Sequence, residues 1–161
     1  MGIRVGILTA SDRSARGERP DTSGPALADR VRAEGWSVIQ TAILPDDRST
    51  LAETMRQWAD SGLLDVILVT GGTGFAPRDV TPEATRDVIE KEAPGLAEAM
   101  RAVSLSITPH AMLSRLVTGI RGRTLILDLP GSLKGAVENL QVVLPVLEHA
   151  VHLLRDEDAG H

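Results

Sequence analysis

The chain has 161 residues, of which 42% are hydrophobic and 24% are charged, and its formal net charge is −5. This length suits one domain, residues 1–161, with a sizeable core. The acidic balance and the lack of a basic run argue against nucleic-acid binding. The chain has no Cys, which excludes disulfides and thiolate metal sites, and no apolar run approaches the roughly 20 residues that span a bilayer. Since no signal-peptide pattern appears either, we expect a cytoplasmic protein without membrane contact.

Apolar runs and helical periodicities alternate along the first half of the chain. Residues 5–10 predict a short buried strand. The polar segment 11–24, rich in Gly and Pro, predicts a loop. Apolar residues at helical spacing follow, in a helix that Gly35 should end. Residues 37–44 predict a second strand.

The middle of the chain carries two helix-start signals around a strong strand. Thr50 and Glu53 have the spacing of a capping box, and an apolar stripe follows them. Residues 65–70 predict a strand that is apolar on both faces. Thr81 followed by Pro82 predicts a hydroxyl N-cap and a proline in the first helical turn.

The last third predicts helices around one more strand. Pro94 should open a helix and Pro109 a short helical turn. Residues 124–129 predict a strand, and a long apolar stripe then runs to Leu154, with Pro145 expected to kink or interrupt its helix. This alternation predicts an α/β fold of three layers, a mostly parallel sheet with helices on both faces.

Polar or glycine-rich turns follow four of the predicted strands, at residues 11–12, 45–47, 71–74 and 130–132. Ligands of open α/β sheets bind beyond the carboxyl ends of the strands, so these turns should meet at one site. The glycines of 71–74 would let backbone amides approach an anion, although a tight turn alone also explains them. They match neither a P-loop nor the dinucleotide fingerprint.

Charged residues beside these turns are candidates for chemistry. Asp46 and Asp79 form a plausible carboxylate pair for Mg²⁺, although a polar turn and an acidic helix start also explain them. Lys134 could neutralise a phosphate at the start of the last helix, or simply be solvated. His149 and His152 lack a third ligand at fitting spacing, so we do not predict a zinc site.

Six short motifs occur in a fixed order over nearly the whole chain: Thr9–Asp12, Thr70–Gly74, Arg78–Glu83, Pro94–Leu96, Leu113–Arg115 and Leu129–Ser132. Together they resemble the molybdopterin adenylyltransferase family, and the pairing of the second with the third is highly specific. The resemblance implies the molybdenum cofactor biosynthesis fold. It also implies ATP with Mg²⁺ and molybdopterin as substrates, AMP being joined to the pterin phosphate and pyrophosphate released.

The resemblance also implies roles for individual residues. Asp46 and Asp79 match the acidic residues on which catalysis depends, and we expect them to hold the metal. The expected nucleotide-binding residues, with Lys134 added for its place at a helix start, are Thr70, Gly71, Gly72, Thr73, Gly74, Pro130, Gly131, Ser132 and Lys134. The expected pterin-binding residues are Ser11, Asp12, Ser114 and Arg115.

The resemblance further implies a homotrimer, or a hexamer built as a dimer of trimers, and leaves open a transient contact with a molybdate-insertion protein. One departure from the family pattern is Asp128, where a neutral residue is expected. If it faced the pocket, it would repel an anionic ligand.

Three other functions remain open on the same fold. The first is a non-catalytic, MoaB-like pterin-binding protein. The second is a nucleotide hydrolase or deamidase related to competence-damage proteins. The third, based on the glycine turn alone, is a plain nucleotide-binding module.

Overall fold

A computed structural model describes residues 2–157 as a six-stranded mixed sheet between two layers of helices. A short 3₁₀ helix, Pro109–Leu113, lies between α5 and β5. The other elements are, in chain order, β1 (Arg4–Ala10), α1 (Asp12–Ala15), α2 (Ser23–Ala33), β2 (Ser37–Leu44), α3 (Arg48–Asp60), β3 (Val66–Thr70), α4 (Thr81–Val88), β4 (Lys91–Glu92), α5 (Pro94–Ile107), β5 (Thr118–Arg121), β6 (Thr124–Leu129) and α6 (Leu133–Leu154).

The strand order is β2-β1-β3-β6-β5-β4. The first four strands in this order are parallel, which confirms the predicted mostly parallel sheet. Strands β5 and β4 extend the sheet in antiparallel fashion and were not predicted. They are short, and Gly119 interrupts the apolar pattern of β5, so their sequences carry little strand signal.

Two apolar cores hold the layers together, one on each face of the sheet. Helices α2, α5 and α6 cover one face, and α3 and α4 cover the other. Strands β3 and β6 are buried along their whole length, because they lie in the centre of the sheet with helices on both sides. The parallel strands therefore deliver their carboxyl ends to a single rim.

Two predicted helix caps are wrong. Helix α3 is capped by Asp47, whose carboxylate accepts from the backbone N–H of Thr50 at 2.9 Å, and not by Thr50 and Glu53. Helix α4 begins at Thr81 itself, after Val80, and the Thr81 hydroxyl makes no capping bond. Instead the Thr81 N–H donates to the carbonyl of Gly72 at 3.1 Å, because this helix start is tied to the glycine turn.

Two further expectations need correction. The predicted loop 11–24 contains helix α1, and α2 already begins at Ser23. Helix α6 continues through Pro145, so the helix is not interrupted there, and the alternative of a kink stays a prediction. An interior proline costs about 3 kcal/mol, but buried residues of α6 on both sides of it, among them Leu140 and Leu147, pack into the core and hold the helix together.

The rim opposite the carboxyl ends is held by a buried carboxylate. Asp65 is 2% exposed and accepts from the backbone N–H of Arg4 at 2.8 Å and from the Arg155 guanidinium at 2.5 and 3.1 Å. Burial alone would raise the pKa of Asp65, but these donors outweigh it and hold the pKa below its ordinary value. Asp65 therefore joins the start of the sheet to the end of α6.

Within residues 2–157, no helix is both long and apolar enough to cross a bilayer.

Candidate active site at the carboxyl rim

A cavity of about 310 Å³ opens at the carboxyl ends of β1 and β3. We call it the glycine-turn cavity, because Gly71 and Gly72 form part of its wall. Its lining residues are Thr9, Ala10, Ser11, Ser14, Arg19, Pro20, Asp21, Thr22, Ser23, Asp46, Thr70, Gly71, Gly72, Asp79, Gly131 and Ser132. The predicted meeting of the four turns is therefore observed.

The glycine turn needs its glycines for both conformation and space. Gly71 and Gly72 have positive φ angles of 101° and 68°. A Cβ on Gly71 would collide with the carbonyl oxygen of Ala10, and one on Gly72 would lie 2.9 Å from Asp46 Oδ1. Because no side chain fits there, the backbone itself forms the cavity wall, and an anion can approach it closely.

Hydrogen bonds tie the turn to the loop after β6. The Thr70 hydroxyl donates to the carbonyl of Pro130 at 2.7 Å, and the Gly71 N–H donates to the carbonyl of Leu129 at 3.1 Å. The Ser23 hydroxyl adds a third bond, to the carbonyl of Gly131 at 2.7 Å. The two loops and the start of α2 thus form one rigid wall.

Asp46 is held from one side only. Its Oδ2 accepts from the Asp12 N–H, and Asp12 Oδ1 accepts from the Asp46 N–H, both at 3.0 Å. Its Oδ1 is buried and has no hydrogen-bond partner among residues 2–157. Burial raises the pKa of Asp46, and the nearby carboxylates of Asp12 and Asp79 add to this while the Asp12 N–H opposes it. The positive groups around the Asp46 carboxylate therefore do not balance its charge.

Asp79 reaches the same cavity from the loop before α4. Its Oδ2 accepts from the Ala76 N–H at 3.0 Å, and its backbone carbonyl accepts from Arg115 Nη2 at 2.9 Å. Because a Cβ on Gly74 would lie 2.9 Å from Asp79 Oδ2, a glycine is needed there as well.

The donor set fits a hard divalent cation shared with a phosphate ligand. Asp46 Oδ1 and the Thr81 hydroxyl are both buried without a partner in the described part of the chain, and both lie beside Gly72. Among residues 2–157, no three His, Cys, Asp or Glu side chains converge as a metal site. A cation here would thus take further oxygens from a ligand and from water, as Mg²⁺ does in nucleotide sites.

The predicted site residues fall into two groups. Those that line the glycine-turn cavity are Ser11, Asp46, Thr70, Gly71, Gly72, Asp79, Gly131 and Ser132. Those that do not line it are Asp12, Thr73, Gly74, Ser114, Arg115, Pro130 and Lys134.

Four residues of the second group form hydrogen bonds that hold the loops of the first group in place: Asp12, Thr73, Gly74 and Arg115. Arg78 donates twice to the Asp12 carboxylate, at 2.9 Å each, so Asp12 is committed to Arg78 and to Asp46. Arg115 donates to Glu83 and to the Gly74 carbonyl, and its N–H donates to the Thr73 carbonyl.

Lys134 lies apart from the rest. Its side chain is 78% exposed and its Nζ lies 3.8 Å from Glu138.

Ser114 lines a neighbouring cavity of about 200 Å³, which we call the Ser114 cavity. The Ser114 hydroxyl is buried there, and no described residue is its hydrogen-bond partner. Pro130 lines this cavity too, and Ser132 lines both cavities. The two spaces are therefore adjacent, with the loop after β6 between them.

Some lining residues were not predicted, among them Arg19, Asp21 and Ser23. Asp21 accepts from the Thr9 hydroxyl at 2.8 Å and, at the start of α2, from the Gly24 N–H three residues on at 3.1 Å, as a side chain at a helix N-terminus does. The Asp-x-Ser-Gly run was a usable turn signal in the sequence. Arg19 carried no local signal, because only the folded chain brings it to the rim.

Asp128 faces away from both cavities, so the expected repulsion of an anionic ligand does not arise. It is fully buried and accepts from the Thr85 hydroxyl at 2.5 Å and from the Val117 N–H at 3.0 Å. Burial raises the pKa of Asp128 to about 7.

Replacing Asp128 with Asn should change how stability depends on pH. Folding raises the pKa of Asp128 above its ordinary value of about 3.9. The carboxyl therefore contributes its full stabilisation of the folded protein below about pH 3.9. This stabilisation is lost as pH rises through about 7. Asn has the same shape and no charge. We expect the free energy of unfolding of Asp128→Asn, relative to wild type, to rise by more than about 1.4 kcal/mol between about pH 5 and about pH 8. Urea unfolding at both values measures this, and a constant difference would contradict it.

Comparison with protein families matches residues 6–149 to the probable molybdopterin binding domain. The molybdopterin adenylyltransferase of Helicobacter pylori strain J99 is 38% identical over 154 residues, covering 94% of this chain and 88% of that protein. The molybdenum cofactor synthesis protein cinnamon of Drosophila melanogaster is 46% identical over 157 residues, covering 96% of this chain. The chain spans about a quarter of the length of cinnamon and of the gephyrin of Dictyostelium discoideum (26% and 23%).

Solved structures share the whole fold. The molybdopterin biosynthesis enzyme MoaB of Thermus thermophilus is 53% identical, with a TM-score of 0.90 over 96% of this chain and 98% of that one. The molybdopterin biosynthesis Mog protein of Mycobacterium ulcerans is 34% identical, with a TM-score of 0.90 over 98% and 99%. The chain therefore belongs to the molybdopterin-binding domain family of molybdenum cofactor biosynthesis.

Proposed function

We propose that this protein transfers AMP from ATP to the terminal phosphate of molybdopterin and releases pyrophosphate. The observation that carries the proposal is the pair Asp46 and Asp79 in one cavity beside the glycine turn, with Asp46 Oδ1 buried and unpartnered. An adenylyltransferase needs such a place, where a cation can bring two phosphates together. Relatives named molybdopterin adenylyltransferase support this choice of reaction.

The glycine-turn cavity is the proposed nucleotide site. Gly71 and Gly72 offer a backbone without side-chain obstruction, and Gly131 and Ser132 continue the same wall beside them. Ser132 also caps α6, since its hydroxyl accepts from the Gly135 N–H at 3.1 Å. The N-terminus of a 22-residue helix thus lies at the cavity edge, and its dipole favours an anion there.

The Ser114 cavity is the proposed pterin site. The unpartnered Ser114 hydroxyl and the Asn139 side chain supply hydrogen-bonding groups in its wall. Its sharing of Ser132 with the nucleotide cavity would let the pterin phosphate reach the α-phosphate of ATP. Ser11, predicted on the pterin side, lines the glycine-turn cavity, where the two substrates would meet.

The chemistry needs no strong general base. A phosphate monoester acceptor is already ionised near neutral pH, and neither His nor Lys lines the glycine-turn cavity. Mg²⁺ held by Asp46 and Asp79 would screen the two phosphates and polarise the α-phosphate. Asp12 and Arg78 fix the loop of Asp46 against the loop of Asp79, so the two carboxylates are positioned before substrate arrives. The backbone amides of the glycine turn would stabilise charge on the transferring group.

We further propose that the protein assembles as a homotrimer or as a dimer of trimers, with transient contact to a molybdate-insertion protein. Exposed apolar side chains on α5 and the following 3₁₀ helix support an interface there: Val103, Leu105, Ile107, Met112 and Leu113. We expect light scattering to give three or six times the monomer mass. A monomer at micromolar concentration would contradict this.

The experiment that tests the function combines binding with turnover. Purified protein is mixed with Mg-ATP and molybdopterin, and adenylylated molybdopterin and pyrophosphate are measured, with binding of each substrate measured separately. Formation of both products is the expected result. Binding of both substrates without product would instead identify a non-catalytic pterin-binding protein. Hydrolysis of nucleotides without any response to molybdopterin would identify a different enzyme on this fold.

A further inference from the structure

The lining of the glycine-turn cavity carries too little positive charge to balance the phosphates of ATP, the substrate proposed above. Its lining includes the carboxylates of Asp21, Asp46 and Asp79, and within the described lining Arg19 is the sole Lys or Arg. ATP is a polyanion, and one divalent cation at Asp46 and Asp79 does not neutralise its whole phosphate chain. A further cation at this cavity is therefore needed for tight binding.

Three other arginines near this rim already have ion-pair partners. Arg78 is bound to both oxygens of Asp12. Arg115 is bound to Glu83 at 2.7 Å and to two backbone carbonyls. Arg16 is bound to both oxygens of Glu18, at 2.9 and 3.1 Å. Moving any of them to a phosphate would break an existing ion pair.

Arg19 differs from these three arginines in its contacts. Its side chain is exposed and forms no ion pair or hydrogen bond with any residue in the described range 2–157. Its segment is nevertheless anchored at both ends. The Glu18 N–H donates to the Arg13 carbonyl at 2.9 Å, and the Ser23 hydroxyl donates to the Gly131 carbonyl at 2.7 Å. The guanidinium thus stands on a fixed support at the cavity, free to bind a ligand.

We propose that Arg19 binds the β- and γ-phosphates of ATP, and so makes the cavity prefer a nucleoside triphosphate to a monophosphate. The inference rests on the proposed function. A guanidinium can donate two parallel hydrogen bonds to a phosphate, which a point charge cannot match in geometry. The α-phosphate is assigned to the glycine turn and to the cation that Asp46 and Asp79 would hold. Arg19 is left to bind the β- and γ-phosphates, which leave as pyrophosphate.

The test compares the binding of Mg-ATP and of AMP by calorimetry in wild type, Arg19→Ala and Arg19→Lys. Arg13→Ala is the matched control, because Arg13 is exposed on the adjacent helix α1 and does not line the cavity. We expect Arg19→Ala to weaken ATP binding about tenfold, the scale of one lost charged hydrogen bond, and to change AMP binding less than about twofold. Arg19→Lys should fall between wild type and Arg19→Ala, and Arg13→Ala should match wild type.

Two outcomes would overturn the inference alone: ATP binding that survives Arg19→Ala unchanged, or ATP and AMP binding that weaken by the same factor. Arg19 is exposed, so circular dichroism should show an intact fold in each variant. A wild-type protein that binds neither nucleotide would overturn the proposed function, and this inference with it. The two failures are therefore distinguishable from the wild-type measurement.

Discussion

We expect Asp46→Asn and Asp79→Asn each to lower the rate of the proposed AMP transfer at least about 100-fold, the scale of losing a metal or transition-state contact. Both changes keep the shape of the side chain and remove its charge. In Asp79→Asn, the amide oxygen can still accept from the Ala76 N–H, so the loop should keep its conformation. The loss of rate is then a loss of charge at the reacting phosphates.

Asp47→Asn is the control for this prediction. Asp47 is adjacent to Asp46 in sequence, yet its carboxylate caps α3 and does not line the cavity. Asn is as good an N-cap as Asp, so Asp47→Asn should keep near wild-type turnover. A folded Asp79→Asn protein with near-normal turnover would refute the assignment of the acidic pair.

Asp46→Asn should lower the rate of turnover without lowering the stability of the fold. Burial without a partner for Oδ1 raises the pKa of Asp46, so the charged form is unfavourable in the folded protein. Removing that charge should leave the free energy of unfolding unchanged or raise it, even as turnover is lost. Urea unfolding measures this, and a marked loss of stability would show that Asp46 serves the fold and not the reaction.

The largest loss of stability should come from Asp65→Ala, at about 3–5 kcal/mol. The Arg155 side chain is 10% exposed, and removing Asp65 leaves its charge buried opposite the emptied site. The change also removes the acceptor of the Arg4 N–H, and so loosens the join between β1 and α6. Urea unfolding at neutral pH gives the free energy directly.

Asp60→Ala is the comparison for Asp65→Ala. Asp60 binds Arg121 at 2.9 Å, but its side chain is 56% exposed, and such surface pairs contribute less than about 1 kcal/mol. A similar, small loss in both variants would show that the Asp65 cluster does not hold the fold together.

The sequence predicted the fold well where the local signal was strong. Strands β1, β3 and β6 are buried apolar runs followed by turns, so their existence and the mostly parallel sheet could be read from residue types. Strand β5 and the cap of α3 could not be predicted from residue types alone. Gly119 weakens the pattern of β5, and the choice of Asp47 over Thr50 as the cap depends on how the chain enters the helix.

The site was predictable through its turns and less so through its supporting contacts. Asp46 and Asp79 follow elements whose ends meet at one rim, which topology alone implies. The direction of Asp128 depends on the register of β6, and the role of Asp12 as a support for Asp46 depends on a contact across 34 positions of sequence. Arg19 reaches the cavity only through the folding of the segment before α2.

The most direct test of the proposed reaction follows the α-phosphorus of ATP. The protein is incubated with molybdopterin, Mg²⁺ and ATP labelled at either the α- or the γ-phosphorus, and the pterin product is isolated. Label from the α-position in the pterin and label from the γ-position in pyrophosphate is the predicted result, and Asp79→Asn should abolish both. A pterin that stays unlabelled with α-labelled ATP, in a protein that binds both substrates, would contradict AMP transfer and identify a binding protein.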